Sequence, residues 1–169
     1  MSFFDTVSMY LKYKAWANET TFSALMDLPE SEIYKERKTN FKNIGATLNH
    51  VYTVDDIFKA HLTGVRHGYT SRNTDVCPKL HELWSMQKEM DNWYLDYAAG
   101  VSEDQLGNVI SFEYVGGGQG DMSVSEIILH LVNHGSYHRG FVSDMMYQIP
   151  SIPPANDLTV YLRDVHTKV

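Results

Sequence analysis

The 169-residue sequence has a single cysteine, Cys77, and therefore cannot form an internal disulfide. Since structural disulfides belong to oxidising compartments, this favours a protein of the reducing cytoplasm. The N-terminal residues lack the basic region and apolar core of a secretory signal. Stretches without Asp, Glu, Lys or Arg, such as residues 127–138 and 145–156, are at most 12 residues long, well short of the ~20 apolar residues of a membrane span. We expect a cytoplasmic protein with no membrane partner.

Basic residues are also scarce. The chain has 14 Lys and Arg against 21 Asp and Glu, which gives a net charge of −7 with histidine neutral. Proteins that bind nucleic acids depend on neutralising phosphates and carry clustered positive charge. The densest basic stretch, residues 35–38, is short and is interrupted by Glu36. The composition therefore predicts no nucleic-acid partner.

Hydrophobic residues make up 43% and charged residues 21% of the chain, as in ordinary globular proteins. This composition excludes collagen-like, low-complexity and wholly disordered classes. The length predicts a single domain over residues 1–169, because a chain of this size buries a sizeable core without disulfides. The unusual feature is the number of histidines, eight in all.

Apolar residues recur at intervals of three and four along the chain, which is typical of amphipathic helices. Four long helices are predicted at residues 4–28, 41–62, 78–99 and 123–148, and a short last helix at 158–165. Ser2 with Asp5, and Ser123 with Glu126, have the spacing of capping boxes at the first and fourth helices. Gly64 follows the second helix, as C-terminal glycines do. The inward stripe of the third helix is predicted to be Leu80, Trp84, Met90, Tyr94 and Tyr97.

Residues 109–115 are rich in β-branched and aromatic side chains, and four of the next five residues are glycine. This pattern predicts a strand and a flexible turn, hence a small hairpin. The turn lacks the spacing of both common phosphate-binding glycine motifs. The predicted fold is an all-α four-helix bundle with a β-hairpin before the fourth long helix and a short C-terminal helix. The links before the third and fourth long helices are long, which favours a helix order other than simple up-and-down.

Two histidines occupy core positions of the fourth helix. Its inward stripe is predicted to contain Ile127, Leu131, His134, His138, Phe141 and Met145. Residues spaced i, i+4 lie ~6 Å apart along a helix axis, so two imidazoles with this spacing can share one ion. His130 is ~12 Å along the axis from His138 and too far to share an ion with it. Another helix must therefore complete the site.

The second helix offers His50 and His61 as the third ligand. His50 lies mid-helix among apolar neighbours, where an unpartnered imidazole is costly. His61 is in the last turn, where a charged histidine is favoured by the helix dipole. His50 is therefore the better candidate, although core histidines are also often hydrogen-bonded packing residues. The spacing excludes a zincin metalloprotease, which needs H-E-x-x-H, and a di-iron bundle, which needs two Glu-x-x-His pairs.

Three sequence motifs occur in order along the chain: Tyr-Lys-Ala-Trp-Ala-Asn-Glu at 13–19, Asn-Ile-Gly-Ala-Thr-Leu-Asn-His at 43–50 with Leu-Thr-Gly at 62–64, and His-Leu-Val-Asn-His-Gly-Ser-Tyr-His-Arg-Gly at 130–140. Together they resemble the motifs of the DinB family of DNA-damage-inducible proteins and the related metal-dependent thiol transferases. The resemblance implies a four-helix bundle, frequently a homodimer, with a divalent metal ion held by three histidines. Carried over by motif, the metal ligands are His50, His134 and His138.

The function implied by the resemblance is a metal-dependent thiol transferase or hydrolase, with a small thiol cosubstrate and a small electrophile as partners. Zinc or nickel suits three imidazoles best, and iron or manganese follows. The sequence identifies no general base or other catalytic residue. Two alternatives stay open: a non-enzymatic metal-binding protein of the stress response, and a dimerisation module with a vestigial site.

The sequence departs from the commoner family pattern at Gly135, Tyr137 and Phe141, where polar or histidine residues often occur, and at Asp56, where a basic residue is frequent. These changes leave the three histidines in place. They affect the surroundings of the site, so the activities of better-defined family members do not transfer directly to this chain.

Several other residues carry a chemical and a structural interpretation side by side. Arg139 could point at a substrate carboxylate or at an acid of a neighbouring helix. Asn49 and Asn133 precede predicted ligands and could support them or lie on the helix surface. Cys77 precedes a helix and is predicted to be inert, since no histidine partner is identifiable. The surface histidines are predicted to be His67, His81 and His166.

Overall fold

The protein is described by a computed structural model over residues 2–166. Its helices are α1 (Phe3–Met26), α2 (Glu30–Tyr34), α3 (Ile44–Thr63), α4 (Leu80–Gly100), α5 (Val124–Tyr147) and α6 (Leu158–Asp164). Its strands are β1 (Val109–Glu113) and β2 (Gln119–Ser123), preceded by a 3₁₀ turn at Asp104–Gly107. The predicted four-helix bundle, with a hairpin before the fourth long helix and a short C-terminal helix, is confirmed.

The four long helices do not pack in the order of the chain. Helices α1 and α3 each lie against both α4 and α5. In a bundle of four, this places α1 diagonally opposite α3, and α4 diagonally opposite α5. The chain crosses a diagonal twice, through residues 27–43 between α1 and α3 and through residues 101–123 between α4 and α5. The long link of residues 64–79 joins the neighbours α3 and α4. The arrangement makes α5 the neighbour of α1 on one side and of α3 on the other.

Both predicted capping boxes are present. The Ser2 hydroxyl accepts a hydrogen bond from the Asp5 amide at 3.1 Å, and the Ser2 amide donates to the Asp5 carboxylate at 2.8 Å. Ser123 and Glu126 repeat this exchange at the start of α5, at 3.2 and 2.7 Å. The hydrogen bond from the Ser123 backbone lowers the pKa of Glu126. These local contacts fix where two of the long helices begin.

Helix α3 begins three residues later than predicted. Lys42 has a φ of +67°, in the left-handed region, which a continuing right-handed helix cannot include. Asn43 therefore caps the helix, and its side chain accepts a hydrogen bond from the Ala46 amide at 2.7 Å. The helix ends as predicted at Gly64, which is left-handed with a φ of +67°. Phe41 lies outside the helix and is free to pack elsewhere.

The core consists of two apolar clusters along the bundle. The buried face of α4 is rotated from the prediction, because Trp84 and Tyr97 are only half-buried. Its buried residues are Leu80, Leu83, Gln87, Met90, Asp91, Tyr94 and Ala98. The rotation brings two polar side chains, Gln87 and Asp91, into the interior. Among residues 2–166, no helix is both long enough and apolar enough to cross a membrane.

The hairpin lies against the bundle through its aromatic face. Strand β1 pairs antiparallel with β2, with Val109 opposite Ser123 and Glu113 opposite Gln119. The turn contains three successive glycines, residues 116–118, with φ near +97°, which side-chain-bearing residues rarely adopt. Phe112 of β1 is buried and packs edge-to-face on Phe58 of α3 at 5.4 Å between ring centroids. The hairpin thus covers the C-terminal half of α3.

Candidate metal centre

The structure brings together His50 of α3 and the pair His134 and His138 of α5. One ring nitrogen of each residue lies within 4.8 Å of those of the other two. The Nε2 atoms of His50 and His134 are 3.1 Å apart. Helices α3 and α5 are direct neighbours, so residues separated by 84 positions in the chain meet inside the bundle. We call these three residues the histidine cluster.

The other two histidines weighed from the sequence lie outside this cluster. His130, one turn before His134, packs on Phe58 with 5.0 Å between ring centroids. His61 stacks on Phe112 at 4.7 Å. Both observations agree with the choice of His50 over His61 and with the separation of His130 from His138. Neither residue contributes to the group of converging nitrogens.

The orientation of His50 is fixed from both sides by loop residues. Its Nδ1 lies 2.8 Å from the backbone oxygen of Arg72, in the link between α3 and α4. Because a carbonyl only accepts, Nδ1 carries the proton and donates it, which leaves Nε2 as the free lone pair. The ring of Phe41 stacks on His50 at 4.4 Å with an interplanar angle of 24°. Neither contact could be predicted from the sequence, since a backbone oxygen and a loop phenylalanine have no distinctive pattern.

Burial makes the cluster electrically neutral. It lowers the pKa of His134 to about 2, with the neighbouring His138 and His50 adding to the effect. It lowers the pKa of His138 to about 4, again with a smaller contribution from His50. The pKa of His50 is lowered for the same reason. At neutral pH all three imidazoles therefore present lone pairs, the form that binds metal ions.

The residues fit a divalent metal ion. Metal–nitrogen bonds of ~2.0–2.1 Å at a tetrahedral ion place two nitrogens about 3.3 Å apart, close to the 3.1 Å between His50 and His134. The Nδ1 atoms of His134 and His138 are buried and have no hydrogen-bond partner within residues 2–166. The His134 nitrogen that faces His50 is Nε2, so an ion between them would bind Nε2 and leave Nδ1 on the far side of the ring. Three neutral nitrogens and no carboxylate form a donor set suited to zinc or nickel.

A chamber of about 400 Å³ adjoins His50 and His134. Its apolar wall is formed by Val54, Ile57, Phe58, Phe112 and Met122. Its polar lining consists of His61, Arg72 and His130, besides the two cluster residues. The hairpin closes one side through Phe112 and Tyr114. A small, largely apolar molecule could therefore reach the histidine cluster while most of its surface is shielded from water.

A second polar group is buried in the bundle and was not predicted. The Lys14 ammonium lies 2.7 Å from Asp55 and 2.6 Å from Asp91. Burial disfavours the Lys14 cation, but the two carboxylates outweigh it and raise its pKa. Gln87 and Asn18 donate further hydrogen bonds to these carboxylates, at 2.9 and 2.8 Å. This ion network joins α1, α3 and α4. In the sequence its only sign is that charged residues interrupt the apolar stripes of these helices.

Arg139 does not face the chamber. It is buried and donates to Asn18 and Ser136, and no carboxylate of residues 2–166 forms a salt bridge with it. Gly135 leaves room for it, because a Cβ there would lie 3.1 Å from Arg139 Nη1. The departure at Gly135 therefore has a packing reason.

The remaining residues singled out from the sequence have structural positions. Asn49 is buried and donates to Thr74 at 2.8 Å, so it ties α3 to the following link. Asn133 is exposed. Cys77 is half-buried, and burial raises the pKa of its thiol, which agrees with the prediction that it is inert. His81 is on the surface as predicted, whereas His67 and His166 are partly covered.

The fold and the site define a helical bundle with a candidate three-histidine metal centre between two of its helices. The chain belongs to the DinB family, whose family model matches residues 1–167. It is 26% identical over 157 residues to the protein DinB of Bacillus subtilis (strain 168), which covers 89% of this chain and 90% of that protein. A crystal structure of a DinB-like protein from Bacillus cereus ATCC 10987 superposes with a TM-score of 0.67 and 18% identity. The superposition covers 86% of this chain and 94% of the other, and it supports the fold.

Proposed function

We propose that this protein binds one divalent metal ion through His50, His134 and His138 and uses it in a thiol-transfer or hydrolysis reaction. The observation that carries the proposal is the convergence of three neutral ring nitrogens within 4.8 Å inside the bundle. A purely structural set of core histidines would have its nitrogens matched by hydrogen-bond partners. Membership of the DinB family supports the same assignment.

When bound, a divalent ion at these nitrogens would lower the pKa of a thiol or water and polarise an electrophile. Zinc and nickel are the proposed ions, and iron and manganese rank after them because a given set of nitrogen donors binds Fe²⁺ and Mn²⁺ more weakly. The residues of the chain supply the rest. The Arg72 backbone oxygen holds the His50 ring in place, as outer hydrogen bonds do for ligating histidines.

The chamber determines what kind of reactant fits. Its wall of aliphatic and aromatic side chains favours small apolar electrophiles or esters. Burial lowers the pKa of His130 and of His61, so both are neutral at pH 7 and can accept a proton. Both line the chamber beside the cluster. We propose that one of them takes the proton released by the reacting thiol or water.

The proposal is tested on protein purified without an affinity tag. Metal analysis should find about one ion per chain. The metal-loaded protein should then accelerate conjugation of a small aliphatic thiol to 1-chloro-2,4-dinitrobenzene, or hydrolysis of 4-nitrophenyl acetate. Removal of the metal, or the substitution His50→Ala, should abolish the acceleration. Protein that folds normally but binds no metal would refute the metal site.

Two further outcomes separate the alternatives. Stoichiometric metal without either activity would favour a sequestering or sensing protein over an enzyme. A folded, metal-free dimer would favour a dimerisation module. The predicted homodimer belongs to the proposal as well and is checked by sedimentation velocity of the untagged chain.

A further inference from the structure

Arg139 is a buried cation on the side of α5 that faces α1. Its exposed fraction is 3%, within the range of the apolar core residues. It follows His138 directly in the chain, yet its contacts are with Tyr13 and Asn18 of α1, whereas His138 faces His50 of α3. The residue therefore belongs to a different surface from the histidine cluster.

The Arg139 guanidinium is held by neutral oxygens alone. Nη1 donates to the Asn18 side-chain oxygen at 3.0 Å, and Nη2 donates to the Ser136 hydroxyl at 2.9 Å and to the Tyr13 hydroxyl at 3.5 Å. Nε is buried without a hydrogen-bond partner, and no carboxylate of residues 2–166 forms a salt bridge with this side chain. Buried arginines usually have an anionic partner, because desolvating an uncompensated cation is expensive.

A cavity of about 390 Å³ lies beside this guanidinium. Tyr13, Ser136 and Ser143 supply hydroxyl groups to its lining, and residues 153–157 form its outer wall. Nη2 shares an edge of the guanidinium with Nε, and both hydroxyls that Nη2 contacts line the cavity. Gly140 keeps the lining open, since a Cβ there would have no heavy atom within 4 Å. We call this space the arginine cavity.

We propose that the arginine cavity is a binding site for a small oxyanion, a phosphate or carboxylate group, recognised by Arg139 with the hydroxyls of Tyr13, Ser136 and Ser143. Nε is the unpaired donor of the guanidinium edge, Nη2 becomes available when its long 3.5 Å contact with Tyr13 gives way, and Ser143 adds a hydroxyl. The Tyr13 and Ser136 hydroxyls donate to the backbone oxygens of Asn156 and Val132 at 3.2 and 3.0 Å, so they rotate away from these acceptors when they donate to the anion. The site is independent of the metal centre and of the reaction proposed there. Asp157 at the outer wall is the one lining carboxylate, and it opposes anion binding from an exposed position.

The alternative is that Arg139 is compensated at a distance by the ion network. Asn18 links the two, because it accepts from Arg139 and donates to Asp91 at 2.8 Å. Asp91, however, already binds the Lys14 ammonium at 2.6 Å and accepts from Gln87 at 3.2 Å. The charges of Lys14 and Arg139 then equal those of Asp55 and Asp91 in number. Both carboxylates, however, contact Lys14, and neither forms a salt bridge with Arg139. The two explanations differ in what a carboxylate beside Arg139 would do.

Ser143 provides that test, because it lines the cavity one helical turn after Arg139. Ser143→Asp places a carboxylate at i+4 from the arginine, within reach of an ion pair. Ser143→Asn is the matched uncharged control, because its side-chain amide keeps a hydrogen-bond donor at this position. The melting temperature of each protein is measured against inorganic phosphate and, separately, succinate, at constant ionic strength set with sodium chloride. Each titration is run on metal-free and on metal-loaded protein.

The wild-type chain and Ser143→Asn should show a saturable rise in melting temperature with phosphate, succinate or both. Ser143→Asp should weaken that binding at least about tenfold through like-charge repulsion and should melt higher than Ser143→Asn without added anion. Absence of a saturable response in the wild-type chain would overturn the proposal. So would equal binding by Ser143→Asp, or a response confined to metal-loaded protein, which would place the anion at the histidine cluster instead.

Discussion

The bundle buries two polar groups that differ in how their members are matched. In the ion network, Lys14 lies between the carboxylates of Asp55 and Asp91, and amide side chains donate to the same oxygens. In the histidine cluster, three imidazoles face one another, and Nδ1 of both His134 and His138 lacks a partner within the described residues. One group is complete as the chain folds, and the other is not.

This difference indicates which group has a structural role and which binds a ligand. Opposite charges that satisfy one another need nothing from outside the chain, so the ion network fixes how α1, α3 and α4 meet. Like groups that converge gain nothing from one another and are costly to bury. They are explained by a partner that all three can bind, and a divalent cation is such a partner for neutral imidazoles.

The substitution His138→Ala should give the largest effect on the incomplete group. We expect loss of tight metal binding, because two remaining imidazoles do not hold a divalent ion in an otherwise apolar site. Helical content by circular dichroism should stay unchanged, since the residue contributes little to helix formation. Exposed His81 of α4 provides the control, His81→Ala, which should bind about one ion per chain like the wild type. Stoichiometric metal in the His138 variant would count against the proposed site.

Removing one member of the ion network should lower the stability of the fold. Lys14→Met leaves Asp55 and Asp91 buried without their cation and should lower the free energy of unfolding by about 3–5 kcal/mol. Urea denaturation measures this loss. The control is Lys12→Met on the exposed face of α1, which should change stability by less than about 0.5 kcal/mol. If the two variants were equally stable, the network could not be what fixes the helices.

A pair of glycine substitutions sharpens the distinction at α5, which carries both His138 and Arg139. Gly135→Ala places a Cβ 3.1 Å from Arg139 Nη1 and should destabilise by about 1–2 kcal/mol through crowding. Gly140→Ala meets nothing within 4 Å and should stabilise by about 0.5–1 kcal/mol, because alanine favours the helix. Thermal or urea unfolding compares the two. Similar behaviour of both variants would mean that Arg139 moves freely away from Gly135.

The smallest effect concerns Cys77, a half-buried residue that belongs neither to the ion network nor to the histidine cluster. Burial raises the pKa of its thiol, so at pH 8 less of it is thiolate than in an unfolded chain. Alkylation by iodoacetamide should therefore be several-fold slower in the native protein than in urea and should speed up as the pH rises past 9. Native alkylation at the unfolded rate would show that the thiol is neither shielded nor shifted.

The local features of the fold could be predicted from short segments. Capping boxes at Ser2 and Ser123 and the left-handed Gly64 depend on contacts within a few residues, and all three are present. The helix start at Ile44 and the buried face of α4 were displaced, because Lys42 adopts a left-handed conformation and Asp91 turns inward toward Lys14. Lys42 belongs to a local turn, in which its amide donates to Thr39 and its oxygen accepts from the Arg37 amide, and such a turn has no apolar periodicity. Asp91 pairs with Lys14, 77 positions away, which periodicity does not report.

The candidate metal centre also has features that the sequence predicts and features that depend on tertiary packing. The spacing of His134 and His138 on one helical face is a property of the sequence, since 3.6 residues per turn place i and i+4 side by side. Their meeting with His50, the hydrogen bond from His50 to Arg72, the apolar chamber and the position of Arg139 were decided only by the packing of α5 between α1 and α3. Helical periodicity acts within about one turn, whereas a site between helices depends on how side chains from distant segments fill and neutralise a shared interior.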